Sequence, residues 1–163
     1  MFGWKKKSVT ASVLEVPAPL PGKIVPIEQV PDEAFAGKLM GEGIAIMPGE
    51  GKVFAPFAGK VAHIMEKSKH AIMLEHESGA QILIHVGMNT VSLKGEGFTA
   101  YVKSGDRVEK GQLLLEFDIP AIQQAGYSVI TPVIVPNGQE CVKRVEIAES
   151  QPNEQQAAIR IYY

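Results

Sequence analysis

The chain has 163 residues, enough for one domain with a sizeable core and short for two. Hydrophobic residues make up 45% and charged residues 21%, as in an ordinary soluble globular protein, and a formal net charge of −2 leaves no basic surplus for nucleic acid as the main partner. The single cysteine, Cys141, rules out an internal disulfide and fits a reducing compartment, and no apolar run approaches the ~18 residues needed to cross a bilayer.

The first residues, MFGWKKKSV, are basic like the start of a signal peptide, but no apolar stretch follows and Pro17, Pro19 and Pro21 come soon after. The expectation is a cytoplasmic protein with a flexible basic tail over residues 1–15 and a single domain over residues 16–163. Against a frayed end stands one sharper reading, weak attraction of Lys5, Lys6 and Lys7 to an anionic membrane face with Phe2 and Trp4 dipping in.

From there on, short apolar runs alternate with turn signals: PLPGK, MPGEGK, PFAGK, ESGAQ, KGEG, KSGD, EKGQ and VPNGQE. That spacing predicts an all-β fold, an antiparallel β-sandwich or barrel-sandwich hybrid. The only helix signal is a short one over Ile119–Gly126. An internal echo supports strand-pair repetition: APLPGKIV (Ala18 to Val25) and APFAGKVA (Ala55 to Ala62) align at Ala, Pro, Gly and Lys, with ITPVIV (Ile130 to Val135) a weaker relative.

The stretch HAIMLEHESGAQILIHVG carries three of the four histidines. Read as a hairpin turning near Glu77 and Ser78, it sets His70 opposite His85, Ile72 opposite Leu83 and Leu74 opposite Gln81. The two histidines then share one face, and Ala71, Met73, Ile82 and Ile84 form the core face. Directly opposed Cβ atoms lie ~4.5–5.5 Å apart, close enough for two imidazoles to touch.

Two neutral imidazoles supply half a zinc site, but His63, His76 and Cys141 make no close-spaced ligand motif with them, so no complete metal site is legible. The sequence has neither a G-x-S-x-G nucleophile nor a phosphate-cradling G-x-x-x-x-G-K-[ST] loop, and it calls for no cofactor. A histidine acting as its own nucleophile remains: neutral imidazole attacks phosphorus near pH 7, and a second imidazole beside it can steady the transferred oxygens. On the pattern alone, phosphoryl relay, metal binding and a plain structural role all stand.

The segment GDRVEKGQLLLEFD resembles the G-D-x-V-x-K-G-Q-x-L turn of biotinyl and lipoyl carrier domains, but Lys52, Lys60 and Lys94 lack the surroundings of a modifiable lysine, so it points to shared barrel-sandwich architecture only. With VPDEAFAGKLMGEGIAI, VFAPFAGKV, HAI at His70 and ILIHVGMNTVSLKGEGF, it gives the chain from about Ala18 to Val135 a specific likeness. The chain resembles the enzyme IIA domain of the glucose class of the bacterial sugar phosphotransferase system.

The resemblance implies a phosphoryl carrier. His85 would be the phosphorylated nucleophile, taking phosphate on Nε2 from the phosphocarrier protein HPr and passing it to a cysteine on a IIB domain, which phosphorylates sugar as the permease imports it. The Gly87 carbonyl would hold the Nδ1 proton, His70 would stabilise the phosphoryl group, and Ser68 would orient His70. Phe35, Met40, Met65, Leu83 and Val91 would form the apolar rim that docks partners. Asn89, where family members often carry aspartate, would alter the charge near His85. An unphosphorylated apolar face could also dock regulatory protein targets, and phosphate on His85 would then release them. Membrane contact is expected only through the permease or the N-terminal tail. No IIB or IIC segment is present, and Cys141 lacks a IIB cysteine's surroundings, so the expectation is a free-standing IIA protein or an excised domain.

Overall fold

The computed structural model describes residues 12–148, 151–153 and 156–163. The short apolar runs become strands. In chain order these are β1 (Val13–Pro17), β2 (Gly22–Pro26), β3 (Gly41–Pro48), β4 (Lys52–Phe54), β5 (Gly59–Ile64), β6 (Ala71–His76), β7 (Gln81–His85), β8 (Phe98–Ala100), β9 (Arg107–Val108), β10 (Leu113–Phe117), β11 (Thr131–Pro136), β12 (Arg144–Ile147) and β13 (Ala157–Tyr162). They form a seven-stranded sheet in the order β2-β3-β11-β7-β6-β5-β9 and two three-stranded sheets, β4-β10-β8 and β1-β13-β12. Neighbouring strands pair antiparallel throughout, as the sandwich reading predicts. Among the described residues, helix is confined to short pieces: α1 (Glu33–Ala36), α2 (Ile119–Gln124) and two 3-10 turns, Ile27–Gln29 and Thr90–Leu93. The second helix falls where one was expected; Asp118 caps it by accepting from the Ala121 N–H at 3.0 Å, and Pro120 occupies its first turn.

One face of the large sheet packs against the smaller sheets over a continuous core that includes Ile46, Ile72, Leu74, Ile82, Ile84 and Leu115, all fully buried. Each such side chain contributes about 1.5–3 kcal/mol by leaving water. The other face carries a smaller cluster in which Val25, Ile27, Val30 and Phe35 from the strap over residues 25–40 cover Ala45, Met88, Ile130 and Ile134. β11 therefore has both faces covered, Val133 and Val135 toward the main core and Ile134 toward the strap, which is why Val-Ile-Val shows no alternation.

The internal echo has a backbone cause. Gly22 opens β2 and Gly59 opens β5, and a Cβ there would lie 2.2 Å from the Met47 carbonyl oxygen and 2.1 Å from that of Glu75. Each glycine lets a neighbouring strand come closer than any side chain allows.

Two sequence expectations need correction. Residues 1–11 of the proposed tail lie outside the described residues, but Val13, Leu14 and Glu15 are strand, paired with Tyr162, Ile161 and Arg160 of β13. Leu14 and Val16 point inward there, a short alternation that the neighbouring prolines obscured. The β6–β7 register is also shifted by one residue: Ala71 pairs with His85, Ile72 with Ile84, and Met73 with Leu83. Ile72, Leu74, Ile82 and Ile84 form the core face, while Ala71 and Met73 lie half-buried on the opposite one. Pairing Ile with Ile and Leu with Ile on the core face buries more apolar surface than the register read from the sequence.

Candidate functional site

The one-residue shift does not separate the two histidines. His70 lies just before β6, where its carbonyl accepts from the Val86 N–H at 2.7 Å and so extends the ladder by one step. Ahead of it Lys69 has φ 56°, a left-handed turn closed by the Lys69 N–H donating to the Met65 carbonyl at 2.9 Å. Strict alternation would send the His70 side chain to the core with Ile72, but the turn interrupts it. The ring instead stands edge to face on His85, with 4.7 Å between centroids and 89° between planes.

His85 ends β7 with its ring held from three sides. Its Nδ1–H donates to the Gly87 carbonyl at 2.9 Å, and because a carbonyl only accepts, the neutral ring carries its lone pair on Nε2. Phe35 packs on it from the strap, with centroids 5.1 Å apart and a tilt of 55°. Burial lowers the His85 pKa, opposed by the Gly87 carbonyl, by its own backbone and by the charge of Asp32. Burial, and secondly the His85 ring, push His70 down to about 4. Both imidazoles are neutral at pH 7. Nδ1 of the buried His70 lies 2.7 Å from the buried Ser68 Oγ, and no buried side-chain polar atom among the described residues lacks a partner.

The loop after β7 has little room. Gly87 has φ +76°, and a Cβ on it would lie 2.6 Å from Thr90 Cγ2 and 2.7 Å from the Ser128 carbonyl oxygen. Met88 N–H donates to that same carbonyl at 3.0 Å. Asn89, exposed and left-handed at φ 61°, leads into the 3-10 turn over Thr90–Leu93.

Of the residues expected at the docking rim, Met40, Met65 and Val91 are exposed, at 40%, 39% and 50%. Each is tied to the site: Met40 N–H donates to the Ala34 carbonyl, Met65 N–H to that of Ala71, and Val91 follows Thr90. Leu39, which precedes Met40 and is 70% exposed, was not anticipated. Phe35 does not belong to an exposed rim. Asp32 caps α1 by accepting from the Ala34 N–H at 3.0 Å, and the helix turns Phe35 inward to 4% exposure. Leu83 is half-buried against the same cluster. Asp32 and Thr90 are further site residues that sequence reasoning passed over; the Asp-x-x-Phe spacing of a capped helical turn and the threonine in GMNTV were the available signals.

This arrangement can present a neutral imidazole nitrogen to a visiting electrophile with a second neutral imidazole alongside. No group of three or more His, Cys, Asp or Glu suited to a metal ion occurs among the described residues, and no helix among them is long and apolar enough to cross a membrane. A family model described as phosphoenolpyruvate-dependent sugar phosphotransferase system, EIIA 1, matches residues 14–141. The chain belongs to this family. It is thus a sugar phosphotransferase system component with phosphotransferase function and a β-rich fold.

Relatives bear out the IIA assignment along nearly the whole chain. The glucose-specific EIIA component of Oceanobacillus iheyensis is 44% identical over 155 residues, covering 94% of this chain and 93% of that protein. Its counterpart in Halalkalibacterium halodurans is 47% identical over 141 residues, covering 84% and 81%. The solved structure of glucose permease IIA from Mycoplasma capricolum superposes with a TM-score of 0.78 at 32% identity, covering 98% of this IIA chain and 99% of that one. The likeness extends past the Ala18–Val135 span read from motifs, into β1 at one end and Cys141 at the other.

Proposed function

We propose that this IIA protein carries phosphate on His85 between phospho-HPr and a IIB domain in the cytoplasm. The observation that carries the reading is the Nδ1–H bond from His85 to the Gly87 carbonyl, which leaves Nε2 as the nucleophile, beside the neutral ring of His70. The Nε2 lone pair attacks phosphorus, a P–N bond forms, and the bond from phosphorus to the donor's histidine breaks with its electron pair returning to that ring. Ser68 donates its hydroxyl proton to Nδ1 of His70, so His70 carries its own proton on Nε2 and donates it to the phosphoryl oxygens. A IIB cysteine thiolate then attacks phosphorus, and His85 leaves as the neutral ring. Partners dock on the exposed Leu39, Met40, Met65 and Val91, and Asn89 adds no negative charge of its own beside them.

Incubation with phosphoenolpyruvate, the upstream kinase and HPr is expected to give an acid-labile, base-stable phosphate on the wild type and none on His85→Ala. A His85→Ala protein that still took up label would remove the assignment. His70→Ala is expected to accept label yet pass it to IIB poorly, and normal onward transfer would refute the role given to His70.

The exposed apolar side chains beside the histidines favour a second reading, in which the unphosphorylated face also binds regulatory targets. Adding roughly −1.5 to −2 charges beside an apolar interface opposes docking. Equal retention of targets by phosphorylated and unphosphorylated protein would remove this reading.

A further inference from the structure

Thr90 is polar, fully buried and unused by the chemistry above. Its hydroxyl donates to the Val86 carbonyl across the loop that follows His85. Val86 in turn donates its N–H to the His70 carbonyl, so a single residue links the Thr90 hydroxyl to the backbone of the second histidine. The Thr90 side chain also lies against Gly87: a Cβ on that glycine would be 2.6 Å from Thr90 Cγ2 and 3.3 Å from Oγ1. The Ser128 carbonyl, 2.7 Å from the same point, accepts from the Met88 N–H at 3.0 Å. Gly87, whose carbonyl accepts from His85 Nδ1–H, is thus packed closely against Thr90 and the Ser128 carbonyl.

We infer that Thr90 is a positioning residue: its hydroxyl braces the loop from Val86 to Thr90 so that the Gly87 carbonyl stays aimed at Nδ1 of His85 and keeps Nε2 as the reactive nitrogen. The inference deepens the reading of His85 as phosphoryl acceptor and rests on it for its catalytic meaning. A hydroxyl is required because a buried carbonyl without a donor is costly, and the loop relieves that cost by rotating the peptide that carries it. Rotation of the Val86–Gly87 peptide changes the dihedrals of Gly87 and so displaces the following peptide, whose carbonyl turns away, and the proton on His85 then distributes between both ring nitrogens.

Nitrogen-15 NMR of the histidine rings reads this directly. Wild type and Thr90→Ser are expected to show His85 as one tautomer, protonated at Nδ1. Thr90→Val is expected to move both ring nitrogens toward the average of the two tautomers, with phosphoryl acceptance falling about 10- to 100-fold and the other core resonances unchanged. Unchanged His85 nitrogen shifts in Thr90→Val, or the same loss in Thr90→Ser, would overturn the inference. Should Thr90→Val not fold, the wild type answers alone: the Thr90 hydroxyl proton is expected to exchange slowly enough with water to be seen, and its absence would overturn the inference equally. The tautomers are read without phosphate, so a Thr90→Val protein that shifts as expected beside a wild type that accepts no phosphate would sink the phosphocarrier reading and leave the brace standing.

Discussion

His70 and His85 meet edge to face at 4.7 Å although they are not cross-strand partners; Ala71 occupies the position opposite His85. The pair is diagonal, and it exists because the left-handed turn at Lys69 releases His70 from the alternation of β6. A histidine placed inside the strand would have its side-chain direction set by the pleat. One placed at the strand mouth can be aimed separately, here by Ser68. The site therefore combines a rigid acceptor on the last residue of β7 with a companion on a turn, both within one hydrogen-bonded ladder.

That companion is expected to make stability depend on pH. His70 has a folded pKa of about 4, against about 6.5 for a free imidazole. Between those values the unfolded chain binds more protons, so the contribution of this group is fully present above about pH 6.5 and is lost as pH falls toward 4. Its size is at most about 3 kcal/mol. Urea midpoints measured at pH 7.5 and 4.5 are expected to separate more for the wild type than for His70→Gln; equal separations would refute this. Burial also lowers the His85 pKa, so the midpoint for phosphoryl acceptance is expected below that of a free imidazole.

What the sequence made legible was local. The strands were readable from turn chemistry and apolar runs, and the Gly87 turn and the two histidines from a short motif. The register escaped because ESGA admits more than one turn, and the choice was made by the core pairing of Ile72 with Ile84 and of Leu74 with Ile82. The inward turn of Phe35 depends on a strap folding over the sheet, a contact between residues far apart in sequence. β1 was missed because its partner, β13, lies at the other end of the chain.

The burial of Phe35 separates two kinds of apolar residue at this face. Phe35→Ala is expected to cost about 3–5 kcal/mol in chemical denaturation, because it empties a packed position and removes the ring against His85. Met40→Ala and Val91→Ala are expected to stay within about 0.5 kcal/mol of wild type and to weaken partner binding instead. A Phe35→Ala protein as stable as wild type would show that the ring is only a docking surface.

Gly87 and Gly105 offer a controlled comparison of strain with crowding. Both have positive φ, +76° and +95°, but a Cβ on Gly105 meets nothing within 4 Å, whereas one on Gly87 meets Thr90 and the Ser128 carbonyl. Gly105→Ala is expected to cost about 1–2 kcal/mol from backbone strain alone. Gly87→Ala adds a clash with backbone, for a total of about 3–4 kcal/mol, and is expected to abolish the single tautomer of His85. Equal destabilisation of the two variants would mean that the loop yields freely.

At the far side of the large sheet, β2 is an edge strand, and Ile24 is capped there by one side chain rather than by another strand. Gln151 Oε1 accepts from the Ile24 N–H at 3.2 Å while its Nε2 donates to the Ile24 carbonyl at 2.6 Å. An amide is the side-chain group that reproduces both halves of a strand's hydrogen bonding, and Pro26, two residues along, has no N–H to offer a visiting strand. Gln151→Ala is expected to cost only about 0.5–1 kcal/mol, since water replaces the amide at an exposed site. The sensitive readout is hydrogen exchange at the Ile24 amide, which should quicken in Gln151→Ala. In Gln151→Glu it should quicken less, because a carboxylate still accepts from the N–H though it cannot donate to the carbonyl. Unchanged exchange at Ile24 in Gln151→Ala would show that the edge is protected by something other than this side chain.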